Sequence, residues 1–205
     1  MLNVVYKYLQ SEDFKSFKEY TFNGVNDQRL GFEQSDDYVD SAGILAYNIT
    51  CSVPRGYNKL IHMYPGYKAF FDKILYNKCN VIHFIALKMN SGSAMQEHVD
   101  DGITDFISDY SRRIIPFSTS IFYAQIPTDM EGGQLYIKEG KDAKFYTPEE
   151  NMKVEFSGGD TPHGVTRVTS ECGRERCMIV CEQYKLSLRC LRKIQELGDP
   201  ILRKG

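Results

Sequence analysis

The chain has 205 residues, of which 42% are hydrophobic, and a formal net charge of −2. That length supports one well-buried core and is short for two, so a single domain over 1–205 is expected. The charge balance lacks the basic field that phosphate backbones attract, which argues against nucleic acid as a bulk partner. The first residues hold no charged segment followed by an apolar run, and no stretch of about eighteen apolar residues occurs anywhere, so the expectation is a cytoplasmic protein with no membrane span.

Taken in order, Val4 and Val5 form a short strand before Ser11-Glu12-Asp13, which reads as a helix start with Ser11 as N-cap and acids in the first turn. A helix is expected at about 12–20. Residues 24–40 are polar and turn-rich and read as a loop or hairpin, and 43–51 read as a strand or the start of a second short element. Pro65 then precedes Tyr67-Lys68-Ala69-Phe70-Phe71-Asp72-Lys73-Ile74-Leu75, a helix that packs through Phe70, Phe71, Ile74 and Leu75. The stretch from Val81 to Met89 is apolar on both faces, which marks a strand covered on each side. Residues 102–113 mix acids, serine and arginine and read as a connection. From Pro116 onward, short strands recur between turns at Pro127-Thr128-Asp129, Glu139 to Asp142, Thr147-Pro148-Glu149 and Gly158-Gly159-Asp160. That rhythm predicts a mainly β chain, best fitted by a double-sheet jelly roll. Residues 186–197 have helical spacing and end at Gly198. The chain therefore divides into an N-terminal supporting part (1–79), a β core (80–186) and a C-terminal helix and tail (187–205).

Six cysteines, at 51, 79, 172, 177, 181 and 190, form no C-x-x-C pair and are expected as free thiols. Cys177 and Cys181 share a strand face. Gly158-Gly159 has neither the lysine nor the helix of a phosphate loop. His83 in its apolar strand and His62 before a proline turn are expected in core and loop roles.

The chemistry concentrates at His98-Val99-Asp100 and at His163, far along the chain. In an extended strand, residues i and i+2 point to the same side, so His98 and Asp100 can share one ion while Val99 faces away. With His163 brought alongside, two imidazoles and one carboxylate occupy one face of an octahedron and leave the other open. That arrangement is characteristic of non-haem Fe(II) oxygenases. Asp101 is expected on the opposite side as a solvated acid.

After this pair come Ser120 to Ile126, Glu131 to Ile137 with its Gly132-Gly133 turn, Lys153 to Phe156, His163-Gly164-Val165 and Arg176 to Cys181. The order and spacing of these features, over about residues 80–186, resemble the Fe(II)/2-oxoglutarate-dependent dioxygenases, and within them the prolyl-4-hydroxylase-like branch. The resemblance implies a cupin-like double-stranded β-helix with flanking N-terminal helices and a C-terminal helix. It also implies Fe(II), 2-oxoglutarate and O2 as cofactors, with His98, Asp100 and His163 as metal ligands. An arginine early in the strand after the second histidine grips the far carboxylate of 2-oxoglutarate through its planar fork. Arg176 matches best, with Met178 and Val180 on its face and Cys177, Ile179 and Cys181 on the other. The interval from His163 is longer than usual for the family, which keeps Arg174 as an alternative on the same face. Tyr123 sits where a hydroxyl often joins that arginine, and Thr166 or Thr169 are further options. Asp100 favours hydroxylation over halogenation, because the related halogenases lack that carboxylate.

The implied activity is hydroxylation of an aliphatic C–H bond in a prolyl or other amino-acid residue of a peptide, or in a free amino acid, with release of succinate and CO2. A natural-product oxygenase of the same superfamily, a metal-binding cupin of another type and a metal-free structural jelly roll remain open at this point.

Overall fold

The computed structural model describes residues 2–24, 32–34, 43–103, 113–196 and 201–204. The elements run β1 (Asn3–Val5), α1 (Ser11–Glu19) continuing into a π turn, β2 (Glu33–Gln34), β3 (Ile44–Ser52), α2 (Val53–Met63) and α3 (Lys68–Ile74). Then follow β4 (Val81–Met89), β5 (Met95–His98), β6 (Ser118–Gln125), β7 (Glu131–Gly132), β8 (Leu135–Glu139), β9 (Asp142–Tyr146) and β10 (Lys153–Phe156). The last are β11 (His163–Val165), β12 (Val168–Thr169), β13 (Arg176–Tyr184), α4 (Leu188–Glu196) and β14 (Ile201–Lys204).

A large antiparallel sheet runs β1-β10-β6-β13-β4-β3-β14, with β2 also on β3, and a smaller one runs β5-β11-β8-β9. Side chains alternate across the large sheet, so its two faces have separate cores. On one face Cys177, Ile179 and Cys181 join Phe84 and Phe122 under Phe17, Leu60, Phe70 and Phe71 of the helices. Stacking of Phe17 on Phe70, with ring centroids 4.8 Å apart, fastens α1 to α3. On the other face Met178, Val180, Leu87 and Ile121 meet Met95, Leu135, Ile137 and Val165 across the gap between sheets. Both faces of β4 and β13 are thus covered, which is why their sequences carry apolar residues without a break. The expected jelly roll with flanking helices is the fold observed.

Several local expectations need correction. Gln10, extended at φ −62° and ψ 153°, is the N-cap of α1, and Ser11 is the first helical residue. The α2 helix is hidden in the sequence, because its opening Val-Pro-Arg-Gly reads as a turn. Pro54 lies in the first turn, where no intrahelical donor is lost. Gly56 is required where the helix crosses β3, since a Cβ there would stand 2.5 Å from Cys51 Sγ. The C-terminal tail contains β14, antiparallel to β3. The expected helix end at Gly198, and most of the 24–40 and 102–113 segments, lie outside the described residues. Among the described residues, all six cysteines are free thiols and no helix is long and apolar enough to cross a membrane.

Candidate metal centre

His98 closes β5 and His163 opens β11, and the two residues are direct partners across that antiparallel pair. Their ring centroids lie 4.4 Å apart. The Nδ1 of His98 is 2.9 Å from the Gln96 carbonyl, and that of His163 is 2.9 Å from the Thr161 carbonyl. Each Nδ1–H donates to the carbonyl two residues upstream, which fixes the tautomer and turns both Nε2 lone pairs toward the same point. Asp100 Oδ1 stands 3.9 Å from Nε2 of His98 and 3.5 Å from Nε2 of His163. One ligand atom from each residue falls within a 4.8 Å cluster, close enough for one ion at roughly 2 Å from each. Burial holds the His163 imidazole below its ordinary pKa, opposed by the Asp100 charge, so the ring favours the neutral form that binds metals.

Convergence is achieved differently from the way strand alternation suggests. The β5 strand ends at His98, and Asp100 reaches the centre from the segment beyond it. Its Oδ2 accepts a 2.6 Å hydrogen bond from Thr119 Oγ1 on β6, leaving Oδ1 for the imidazoles. Gly158 makes this close packing possible, because a Cβ there would stand 2.6 Å from Asp100 Oδ2 and overlap the Thr119 hydroxyl. Phe156 closes one side, its ring centroid 4.7 Å from that of His163. Asp101 points away, as expected, and accepts 2.8 Å from Arg113 Nε. Arg113 Nη2 also donates to the Val99 carbonyl at 2.7 Å, so this one side chain ties down both neighbours of Asp100. Thr119, Gly158 and Arg113 went unrecognised in the sequence. The glycine pair before His163 was the one visible trace of this packing.

Arg176 is the first residue of β13 and is completely buried on the interior face. Its Nη1 touches only sulfur, Met89 Sδ at 3.1 Å and Met178 Sδ at 2.8 Å, while Nε and Nη2 have no partner. The guanidinium carbon lies 5.1 Å from the centroid of the Tyr123 ring, and the Tyr123 hydroxyl sits near enough to the guanidinium to interact with it, though in no well-formed hydrogen bond. Burial raises the Tyr123 phenol to about 12 against the pull of the guanidinium, and burial lowers Arg176 below its ordinary value. Arg174 lies before the strand and is exposed. Thr166 Oγ1 accepts from the Gln134 backbone N–H, and Thr169 is exposed. Gly133, at φ +62°, brings its backbone against Arg176, where a Cβ would contact Cδ at 3.4 Å.

A cross-sheet row runs on the same interior face at the level of the metal cluster. Thr119 pairs with Glu182, Glu182 with His83 and His83 with Thr50. Glu182 is buried, and its carboxyl is held well above the ordinary carboxylate range by desolvation and the nearby Asp100 charge.

Comparison with solved structures gives a consistent answer. A prolyl-4-hydroxylase from Pseudomonas putida aligns at 14% identity with a TM-score of 0.57, covering 90% of this chain and 92% of that one. A prolyl hydroxylase from Trichoplax adhaerens, in complex with a hypoxia inducible factor oxygen degradation domain peptide fragment, aligns at 13% identity and 0.59, covering 95% and 86%. A 2OG-Fe(II) oxygenase family oxidoreductase from Burkholderia pseudomallei aligns at 12% and 0.57, covering 91% and 86%. The chain has the fold of the 2OG-Fe(II) oxygenases. No protein-family model and no curated protein sequence matches it. Within this fold, the histidines hang from the small sheet and Arg176 and Tyr123 from the large one.

Proposed function

We propose that residues 1–205 form one catalytic domain, an Fe(II)- and 2-oxoglutarate-dependent dioxygenase that hydroxylates an aliphatic C–H bond of an amino-acid residue in a peptide or of a free amino acid. The observation that carries this reading is Arg176. A fully buried guanidinium facing two thioether sulfurs, with Nε and Nη2 unpartnered, costs several kcal/mol unless an anion arrives. A dicarboxylate co-substrate meets that need, whereas a metal-only cupin or a structural jelly roll leaves the charge without a purpose.

His98, His163 and Asp100 would hold the ion through Nε2, Nε2 and Oδ1, a donor set of two imidazoles and one carboxylate that would suit Fe(II) and leave it able to take a co-substrate. Thr119 keeps Oδ2 of Asp100 occupied. Arg176 would clasp the far carboxylate of 2-oxoglutarate, joined by the Tyr123 hydroxyl. The apolar walls from Met178, Leu87 and Ile121 exclude water around that anion and strengthen its pairing with the arginine. Bound Fe(II) with 2-oxoglutarate and O2 supplies the oxidising chemistry, yielding succinate, CO2 and a hydroxylated product. Prolyl hydroxylation draws support from prolyl hydroxylases among the similar structures, one of them solved with a peptide.

The test is anaerobic addition of Fe(II) and 2-oxoglutarate, which should give a visible charge-transfer band, followed by 2-oxoglutarate turnover to succinate in air. Loss of both signals in His98→Ala and His163→Ala is expected. Turnover that persists in both variants overturns the assignment.

A further inference from the structure

On the proposal that His98, Asp100 and His163 hold a metal ion, the segment that carries Asp100 needs a fixed path, because it is no longer part of a strand. The β5 strand ends at His98, and residues 99–103 run on outside any strand. The Asp100 N–H reaches the Gly158 carbonyl only at 3.4 Å, which is a weak tie. On the solvent side Arg113 braces Val99 and Asp101, but its ion pair is nearly half exposed and adds little rigidity.

The inner side is built differently. Thr119, Glu182 and His83 are direct neighbours on β6, β13 and β4, and each one touches this segment. Thr119 donates to Asp100 Oδ2, Glu182 accepts from the Gly102 backbone N–H, and His83 packs beneath Gly102. A Cβ on Gly102 would stand 2.8 Å from His83 Cδ2 and 2.9 Å from Glu182 Oε2, so the backbone lies directly on both side chains. One residue further on, Ile103 is fully buried in the cluster of Val81, Tyr184 and Leu191. Tyr184 also donates its hydroxyl to Glu182 Oε2, which holds the carboxyl in place. An acid is costly to bury in an otherwise apolar stretch of β13, and here it is matched to a backbone donor of the metal-bearing segment.

We infer that Glu182 is a positioning residue of the metal centre: it pins the Gly102 N–H to the large sheet and so sets where the Asp100 carboxylate stands relative to the two imidazoles. Thr119 fixes the direction of that carboxylate, and Glu182 fixes the backbone from which it extends. The role acts through Asp100 alone, so it differs from a general contribution to stability in what it does to metal affinity.

The experiment measures Ni(II) binding to the whole chain by calorimetry. Ni(II) binds such sites more tightly than Mn(II) or Fe(II), so binding stays measurable when a ligand is lost. Glu182→Leu should weaken binding about tenfold or more, whereas Glu182→Gln keeps a carbonyl acceptor in the same place and should stay within about threefold of wild type. Gly102→Ala forces the backbone off His83 and Glu182 and should reproduce the loss with β13 unaltered. In an Asp100→Ala background, adding Glu182→Leu should change affinity by less than about twofold, while a general loss of structure would cost the same factor in both backgrounds. Wild-type affinity in Glu182→Leu or Gly102→Ala, a glutamine variant as weak as the leucine one, or an undiminished effect in the Asp100→Ala background overturns the inference. Should Glu182→Leu not fold, Gly102→Ala and Glu182→Gln decide. A wild-type chain that binds no Ni(II) removes the proposed function as well; wild-type binding that the Glu182 and Gly102 variants leave unchanged removes only the positioning role.

Discussion

Replacing Arg176 with methionine separates stability from function. The side chain is fully buried, with Nε and Nη2 unpartnered and Nη1 in contact with Met89 and Met178 sulfur, so a third thioether of similar length fits its surroundings. Removing a buried unpaired charge in favour of an apolar group stabilises a fold by about 1–4 kcal/mol. For a chain of this size that corresponds to a rise of roughly 2–16 °C in the melting temperature of the ligand-free protein. The same change should abolish stabilisation by 2-oxoglutarate, which in the Mn(II)-loaded wild type should reach about 2.7 kcal/mol at a hundred times its Kd. Urea unfolding and thermal melts, each with and without 2-oxoglutarate, read both effects. A variant that loses several kcal/mol yet is still stabilised by 2-oxoglutarate refutes the reasoning, because the arginine would then be a structural partner and not an anion receptor.

Three further outcomes are expected. Thr119→Val removes the hydroxyl held at Asp100 Oδ2 and should weaken Mn(II) binding about tenfold or more, while Thr119→Ser retains it; equal affinities for all three proteins would remove Thr119 from the site. Arg113→Ala frees both neighbours of Asp100, and because the Arg113–Asp101 pair is nearly half exposed, the loss in Mn(II) affinity should be about threefold and should shrink at high salt; a loss independent of salt speaks against this brace. His163 has a folded-state pKa below its unfolded value, so the unfolded chain binds the extra proton and metal-free stability should fall as pH drops below about 6.5; a His163→Gln variant with an equally steep profile between about pH 7 and 5 contradicts this.

What the sequence discloses and what it hides follow from how each residue acts. The β4 and β13 strands are legible because both of their faces are buried, and apolar runs report burial directly. The histidines and Asp100 are legible by residue type, but the reason they meet is not. Alternation places Asp100 on the strand of His98, whereas pairing with β11 runs out at that residue and the carboxylate arrives from beyond. The α2 helix is masked because Pro54 and Gly56, read locally, signal a turn, and only the approach of Cys51 explains the glycine. Arg174 and Arg176 share a parity that no periodicity separates; the start of β13 buries one and leaves the other in solvent. Thr119 is an ordinary polar residue in a strand sequence, and its meaning comes only from the packing that sets its hydroxyl on Asp100.

The two imidazoles descend from neighbouring strands of the small sheet, while the carboxylate is moored to the large sheet through Thr119. An ion gripped by all three would rivet one wall of the sandwich to the other. Chelation would then release that rivet at one end of the molecule, and faster amide exchange should appear first in β5 and β11, ahead of the helix-backed strands β4 and β13.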